Sequence, residues 1–508
     1  MRVQSSLKRN YILAGLLLST FLAAIEGTVI GPAGPRIVGD LGGAQLLSWV
    51  FTAYLLTMSV TTPIFGKISD LFGRKLVFVV GSILFLGGSL MCGFAMSMEQ
   101  LIIFRAIQGI GAGGLIPVTF TIIGDIYSME ERSKVQGYLS SVWGISSLVG
   151  PLLGGYVVDY LNWRWVFGFN IPFGLLSLVF IIKYLKENIE KKKVKIDYPG
   201  AVTFTIGVAA LLFGLAAGGQ YLDWNSPELL VIFAIAVIAL VLFFIVEKKA
   251  EEPLVPLRLF RYKDIAFSNI ASLLTSALLI GLTSYFPLWV QGVLGKSATE
   301  SGLLLAPMSF SWLIGSVIGG RWIVKHGSRL TSFIGLLFVL IGASGLALAT
   351  DKTPEYLLMV WNALYGLGFG FSFTVFTIIA QSSVGFNLRG ASTALNSFVK
   401  SLGQTIGVAV FGVLINQHIS SAADASRKQG TAVSQDDINK LLSPEKIAEL
   451  PKELWNTLRH FLEGGLHLQF IIMAVIALFG ALSVLGLRSR PPGTDEPAHK
   501  PSRTRQDA

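Results

Sequence analysis

One carboxylate, that of Glu26, lies deep inside the first long apolar stretch of the chain, ILAGLLLSTFLAAIEGTVIG. A charge near the centre of a lipid bilayer costs roughly 2.5–3.5 kcal/mol on insertion scales, so such residues usually handle a proton, an ion or a substrate. A neutral, hydrogen-bonded structural glutamic acid is the alternative interpretation. Glu26 is therefore our first candidate for a proton-coupling residue.

Two basic residues also lie within apolar stretches. Arg105 precedes a glycine-rich segment, and we expect it either to pair with Glu26 or to extend its charged end to the outer membrane interface. Lys400 lies roughly 16 Å into its own stretch at about 1.5 Å per helical residue. It could neutralise Glu26, bind an anionic group or reach an interface, and these roles stay open.

These residues must be positioned by membrane-spanning helices. Only 14% of the 508 residues are charged and 52% are hydrophobic, whereas soluble domains carry about 25% charged residues. Fourteen apolar stretches are long enough to span a bilayer. They lie at about 11–35, 46–66, 76–96, 100–124, 137–158, 164–185, 199–218, 228–247, 264–291, 299–322, 330–349, 354–380, 390–416 and 464–487. We therefore predict an all-α polytopic membrane protein.

Basic residues are distributed unevenly between the two sides of the predicted spans. Short loops and tails on the side of the N-terminus hold 28 Lys and Arg, and the short loops opposite hold four. Because positive residues stay on the cytoplasmic side, both termini are predicted to be cytoplasmic. This topology explains the net charge of +10 without nucleic-acid binding. The single cysteine, Cys92, excludes a disulfide framework and a cysteine-based metal site.

The chain contains an internal repeat. RAIQGIGAG (105–113) matches NALYGLGFG (362–370), with three glycines aligned at an offset of 257 residues. GKISDLFGRK (66–75) matches GRWIVKHGSR (320–329) more weakly, at an offset of 254. Two parallel copies of a six-helix unit fit this pattern, and such copies form transporters that rock two halves about a central site.

The repeat divides the chain into predicted domains. These are an N-terminal six-helix bundle at 1–190, a two-helix insertion with linkers at 191–262, and a C-terminal six-helix bundle at 263–488. The C-terminal bundle includes a long extracellular loop at 417–462, in which we expect short amphipathic helices. Residues 489–508 are predicted to form a disordered cytoplasmic tail.

A charged motif joins spans two and three. It contains Gly66, Asp70, Gly73 and Arg74 and closely resembles the loop signature of the major facilitator superfamily. A glycine here permits close helix approach, and Asp70 can cap the next helix. Arg74 can reach Asp125 at the cytoplasmic end of span four. In that family such a charge cluster holds the halves in the outward-open state. The alternative interpretation is that the basic residues of the motif only mark the cytoplasmic side of the membrane.

Span five contains a second motif. Gly150, Pro151 and Gly154 within GISSLVGPLLGG resemble the antiporter motif of the drug-exporting branches of that superfamily. A Gly/Pro bend lets this helix pack against the other half and helps to seal the cavity, and a kink without special function is the alternative. With fourteen spans and the string WRWVFGFNIP (163–172), essentially the whole chain resembles the fourteen-helix drug:proton antiporter family.

The sequence departs from that family in two places. The first span usually carries Asp where this chain has Glu26, which keeps the carboxylate but lengthens its reach. Exporters of divalent organic cations often carry a further membrane acid in the C-terminal half. Here Asp264 and Glu463 lie at span edges, and Lys400 lies inside a span instead.

The resemblance implies a transporter rather than an enzyme, driven by the proton gradient without a cofactor. Glu26 would exchange a proton for a lipophilic substrate, neutral or monocationic, that is exported by alternating access. The candidate substrate-binding or charge-partner residues are Arg105, Trp143, Asn170, Tyr285, Asn362 and Lys400. We expect a monomer in the bacterial cell membrane whose partners are protons, membrane lipids and hydrophobic small molecules.

Three other functions stay open at this point. The same fold could export lipids or other endogenous amphiphiles. A non-transporting scaffold or sensor could bind a partner through the 417–462 loop. Proton-coupled uptake is disfavoured only by the resemblance to exporters.

Overall fold

The computed structural model describes residues 6–127, 129–187, 197–218, 222–250, 257–384, 386–428, 437 and 451–488. Within these ranges the chain is almost entirely α-helical, so the predicted fold class is confirmed. The helices are α1 (Ser6–Leu41), α2 (Leu47–Phe72), α3 (Arg74–Gly93), α4 (Met98–Ile126), α5 (Met129–Tyr160), α6 (Arg164–Gly168), α7 (Asn170–Tyr184), α8 (Tyr198–Ala217), α9 (Pro227–Glu247), α10 (Lys263–Gly292), α11 (Ala298–Ala347), α12 (Glu355–Ser382), α13 (Phe386–Lys428) and α14 (Lys452–Ser483).

Thirteen helical segments of the described chain are long and apolar enough to cross a membrane. One of them, α11, has 50 residues, about twice what a bilayer requires, and it breaks at Gly327, whose φ of 80° and ψ of 169° are not helical. The parts before and after Gly327 each have the length of one span. Counting them separately, the described residues form fourteen helical segments of membrane-spanning length, the number that the sequence predicts.

Gly73 and Gly327 occupy equivalent points of the repeat and have the same backbone conformation. Gly73, between α2 and α3, has φ 93° and ψ 148°, close to the values at Gly327. A positive φ suits glycine because it has no Cβ. The weaker of the two sequence matches therefore corresponds to one helix break that occurs in both halves.

The aligned glycines of α4 and α12 also pack in the same pattern. In α4, Gly109 and Gly113 lie so close to α2 that a side chain would collide with it, and Gly111 lies equally close to α3. The aligned glycines of α12 lie against the first and second parts of α11 in the same order. Each half is thus built around a glycine-rich helix that two neighbours approach closely.

The inserted pair, α8 and α9, lies beside the line where the halves meet. Phe204 of α8 contacts Phe243 of α9 and Phe398 of α13, with ring centroids 5.3 and 5.2 Å apart. Val60 of α2 belongs to the same buried cluster. Since α2 and α13 belong to different halves, these contacts place α8 against both halves.

The two halves meet at the end of the bundle that the predicted topology places outside the cell, and we call this the outer side. Asp159, near the end of α5, accepts hydrogen bonds from the backbone N–H groups of Ala298 (3.3 Å) and Thr299 (2.7 Å) at the start of α11. Gln291 of α10 donates to the carbonyl of Pro32 in α1 at 2.9 Å. These bonds close the outer side.

The segment predicted as the long outer loop is partly helical. α13 continues to Lys428, and α14 begins at Lys452, directly after Pro451. A proline suits this place because the first N–H groups of a helix have no acceptor within the helix, so the missing N–H of proline breaks no helical hydrogen bond. The two helices therefore extend past the predicted spans, which end at 416 and start at 464. The predicted tail at 489–508 lies outside the described residues.

Removal of the Asp159 carboxylate should loosen the outer closure. Each of its two hydrogen bonds across the halves is worth about 0.5–1.5 kcal/mol. We expect Asp159→Ala to raise severalfold the rate at which an impermeant maleimide labels a cysteine placed at Ser48, which is buried between the halves. Asp351→Ala is the control, because Asp351 pairs with Arg459 within the C-terminal half. Equal labelling of both variants would contradict this role.

Candidate functional site

Glu26 lies in the interior of the N-terminal half and is 1% exposed. Its carboxylate accepts hydrogen bonds from Arg105 Nη1 at 2.7 Å, Gln108 Nε2 at 2.8 Å and Asn170 Nδ2 at 2.5 Å. Both carboxylate oxygens take part and all three partners are donors, which suits the ionised form. Glu26 is thus the centre of a buried polar network that joins α1, α4 and α7.

Arg105 forms the ion pair of this network and is 1% exposed. Its Nη1 also donates to Gln108 Oε1 at 2.7 Å, and its Nε donates to the carbonyl of Val50 at 3.2 Å. The guanidinium carbon lies 4.1 Å from the ring centroid of Tyr54. Of the two positions expected for Arg105, the structure therefore has the pair with Glu26 and not the outer interface.

Asn170 links the network to α3. It is the first residue of α7, and its amide also donates to Ser89 Oγ at 2.8 Å. Ser89 in turn donates to the carbonyl of Phe167 at 2.9 Å. The sequence placed Asn170 among the candidate substrate-binding or charge-partner residues, and in this structure it is a hydrogen-bond partner of the Glu26 charge.

Local sequence explains how α4 presents two partners to Glu26. Arg105 and Gln108 are three residues apart, so they lie on one face of the helix. Gly88 of α3 gives Gln108 room, since a Cβ on Gly88 would lie only 2.5 Å from the backbone nitrogen of Gln108. A small residue in α3 therefore allows α4 to hold both side chains against α1.

The antiporter motif of α5 packs on α1 just beyond Glu26. A side chain on Gly150 would collide with the hydroxyl of Thr28, and one on Gly154 would collide with the carbonyl of Val29. Both contacts depend on glycine, as expected where two helix backbones approach closely. Residues two and three positions after Glu26 therefore touch the motif.

The opposite contact of α5 is with α11 in the C-terminal half. The carbonyl of Pro151 lies against Gly302. The hydroxyl of Ser309 donates to the carbonyl of Ser147. α5 therefore stands between α1, which carries the buried carboxylate, and the other half of the molecule.

Lys400 is in the C-terminal half and does not contact Glu26. Its ammonium group donates to Thr377 Oγ1 at 3.1 Å and lies 5.2 Å from the ring centroid of Phe373. Neutralisation of Glu26, one of the roles expected for Lys400, is therefore absent from this structure.

The charged motif forms a cluster at the cytoplasmic ends of its helices. Arg74 Nε lies 2.8 Å from Asp125 Oδ2. The carboxylate of Glu187, which follows α7, accepts the backbone N–H groups of Arg74 and Lys75 at 2.9 and 3.0 Å, a favourable place for an anion at a helix start. Asp70 belongs to the last turn of α2, and its side chain lies outside the described part of the structure.

Among the described residues, Gly66 has no close helix neighbour in this state. A Cβ on Gly66 would meet open space, contrary to the close approach that the sequence predicts for it. The halves are joined at their outer ends, and this leaves room at the cytoplasmic end of α2.

Three further candidates lie apart from the network. Trp143 in α5 is 42% exposed. Tyr285 is buried and donates to the carbonyl of Val408 at 2.8 Å, and Asn362 is buried and donates to the carbonyl of Leu358 at 3.0 Å. Of these three candidates, only Trp143 is open to its surroundings.

Sequence reasoning missed three residues that the structure brings into these clusters. Gln108 had a usable signal, because it lies one helical turn from Arg105. Ser89 and Glu187 had none, since nothing in their own segments indicates which side chains from other helices they meet.

Two repeated helical halves are a feature of secondary transporters, and comparison with known proteins gives the family. The model for the Major Facilitator Superfamily matches residues 16–408. The chain belongs to this superfamily. It is therefore a transporter and not an enzyme.

Superfamily members similar to this chain include two from Bacillus subtilis (strain 168). Multidrug resistance protein 3 is 37% identical over 483 residues, which cover 94% of each chain. Multidrug transporter protein MdtP is 34% identical over 504 residues, which cover 95% of this chain and 93% of the relative.

Solved structures show the superfamily fold at lower identity. A bacterial homolog to the human lysosomal transporter Spinster, inward-facing and unoccupied, superposes with a TM-score of 0.68 at 16% identity and covers 95% of this chain and 98% of that one. The D-xylose–proton symporter has a TM-score of 0.62 at 16% identity, with the same coverage.

Loss of one partner of the ion pair should destabilise the protein more than loss of both. Breaking a buried pair costs about 3–5 kcal/mol because one charge stays unpaired. We expect Arg105→Met to lower the unfolding temperature in detergent markedly, and Glu26→Gln/Arg105→Met to recover much of the loss. Arg459→Met, which breaks an exposed pair with Asp351, should cost less than about 1 kcal/mol. A double variant no more stable than Arg105→Met would contradict the assigned pairing.

Proposed function

We propose that this protein is a proton-coupled antiporter that exports lipophilic drugs, neutral or monocationic, across the bacterial cell membrane by alternating access. The observation that carries the proposal is the buried Glu26 carboxylate, which Arg105, Gln108 and Asn170 hold next to the antiporter motif of α5. The two Bacillus relatives, named for multidrug resistance and multidrug transport, support drugs as the substrate class.

Protonation of Glu26 is the coupling event in this mechanism. The proton removes the charge that Arg105 pairs with, and the carbonyl of Val50, the Gln108 amide and the ring of Tyr54 continue to hold the guanidinium. The network therefore has a neutral-Glu26 form in which Arg105 keeps acceptors. Such a two-state network can bias a conformational equilibrium, because the proton binds the two conformations with different affinity.

The change at Glu26 reaches the other half through α5. Thr28 and Val29 follow Glu26 and pack on Gly150 and Gly154. The opposite side of α5 packs on α11, and Asp159 at its end closes the outer side. A small shift of α1 is thereby passed to the contact that must open when the transporter faces outward.

The transport cycle follows from this coupling. With the outer side closed, Glu26 is ionised and the substrate enters from the cytoplasm. With the outer side open, the substrate leaves and Glu26 takes a proton from the acidic exterior. When the outer side closes again, that proton is released into the cytoplasm. The proton gradient thereby drives substrate export without ATP.

Placement in the cell follows the charge distribution. Fourteen crossings put both termini on one side, and the excess of Lys and Arg in the short loops on that side supports the cytoplasm. We propose a monomer, since the buried network and the outer closure are complete within one chain.

Glu26→Gln should abolish drug-driven proton movement. The amide keeps the size of the side chain but cannot release a proton in the cycle. In everted vesicles, we expect ethidium to release protons with the wild type and to give at most a few per cent of that signal with Glu26→Gln. Glu99→Gln, at an exposed carboxylate near the start of α4, is the matched control and should resemble the wild type. Undiminished coupled transport by Glu26→Gln would refute the assigned role.

Gly66→Leu should trap the transporter with its outer side closed. No described residue outside its own helix lies within 4 Å of a Cβ placed on Gly66, so the substitution should leave folding intact. Closure of the cytoplasmic side must bring α2 towards the other half, and a bulky side chain there should block it. We expect drug binding within about twofold of the wild type and transport reduced at least about tenfold. Gly87→Leu, also in open space, is the control, and normal transport by Gly66→Leu would contradict the prediction.

A further inference from the structure

Lys400 is a membrane-embedded cation with an incomplete set of partners. It lies about 21 Å along α13 from Phe386, which is near the middle of the bilayer. The side chain contacts the hydroxyl of Thr377 and the ring of Phe373. Among the described residues no carboxylate pairs with it.

The ammonium group has more hydrogen-bond donors than it has partners among the described residues. An ammonium carries three donors. Thr377 directs its own proton to the carbonyl of Phe373 at 2.8 Å and so accepts one donor from Lys400. Two N–H groups have no acceptor among the described residues. A charge at this depth is costly unless it is paired, so the site favours an anionic partner.

The faces of α13 show where Lys400 points. Ser401 bonds Ser59 of α2 at 2.5 Å, and Asn396 donates to Asn269 of α10 at 3.0 Å. The ring of Phe398 packs on α8. At about 100° per residue these contacts use three sides of the helix.

The remaining side of α13 carries Ser397, Lys400 and Gln404, one helical turn apart. Ser397 is exposed, and the other two are partly exposed. This face lies between the contacts with α2 and α10. It therefore borders the space between the two halves.

An aromatic surface adjoins the ammonium group. Trp312 of α11 stacks on Phe373 with ring centroids 5.4 Å apart and an interplanar angle of 21°. The ring centroid of Phe369 lies 5.7 Å from that of Trp312. Trp312 and Phe373 are both partly exposed. A cation with two free donors thus lies at one edge of an apolar wall.

We propose that Lys400 and this wall form a binding site for amphiphilic anions, with the carboxylate, phosphate or sulfonate headgroup on Lys400 and the apolar body along Phe373 and Trp312. Glu26 is bound to Arg105, so the unpaired charge that faces this space is positive. The site extends the substrate range of the proposed exporter from neutral and monocationic compounds to anions. Its role in transport rests on the proposed function.

The test compares two ligands that differ only in headgroup charge. Dansyl-undecanoate and its methyl ester are titrated into the full-length protein in dodecyl maltoside, and binding is followed by energy transfer from tryptophan to dansyl. We expect the wild type and Lys400→Arg to bind the anion at least about tenfold more tightly than the ester. Lys400→Met should bring that ratio near one, and Lys248→Met, at an exposed lysine of the inserted pair, should leave it unchanged.

Either of the following outcomes would contradict the proposed binding site. Equal affinity of the wild type for both ligands, or a preference that persists in Lys400→Met, excludes headgroup recognition by Lys400. Equal weakening of both ligands in Lys400→Met and Lys400→Arg makes the lysine structural. Because the assay measures binding, failure of ethidium-driven proton release would refute the proposed antiport separately.

Discussion

The buried ion pair between Glu26 and Arg105 is the interaction on which the rest of this structure depends. Two charges are removed from water inside the N-terminal half, and their attraction at 2.7 Å offsets much of the cost of burying them. The pair fixes α1 against α4, and Asn170 adds α7. Because α1 also packs on α5, the state of one carboxylate is tied to the contacts between the two halves.

The repeat makes the asymmetry of this arrangement visible. At the offset of 257 residues, Arg105 corresponds to Asn362 and Gln108 corresponds to Tyr365. Asn362 bonds only its own helix, and neither its Oδ1 nor the Tyr365 hydroxyl has a partner among the described residues. The two halves therefore share glycine packing and helix breaks but not electrostatics. One half carries a paired acid and the other a separate cation, Lys400.

Local patterns in the sequence predicted the elements of this fold well. Apolar stretch length gave fourteen crossings, and the glycine spacing of 105–113 and 362–370 gave the two halves, because both signals are carried within single helices. Contacts between side chains of different helices were harder to predict from the sequence. That Asn170 would join Glu26, and that Glu187 would bind the start of α3, depends on how distant segments pack. The close approach predicted for Gly66 is not found among the described residues in this state, in which the halves are joined at their outer ends.

The most direct test of the account is the pH dependence of the outer closure. Spin labels placed on the outer ends of α5 and α11, in a Cys92→Ser background, report the distance between the halves in lipid nanodiscs. We expect acidification to lengthen this distance in the wild type, and we expect Glu26→Gln to show one distance distribution at every pH. The same pH-dependent opening in Glu26→Gln as in the wild type would contradict it.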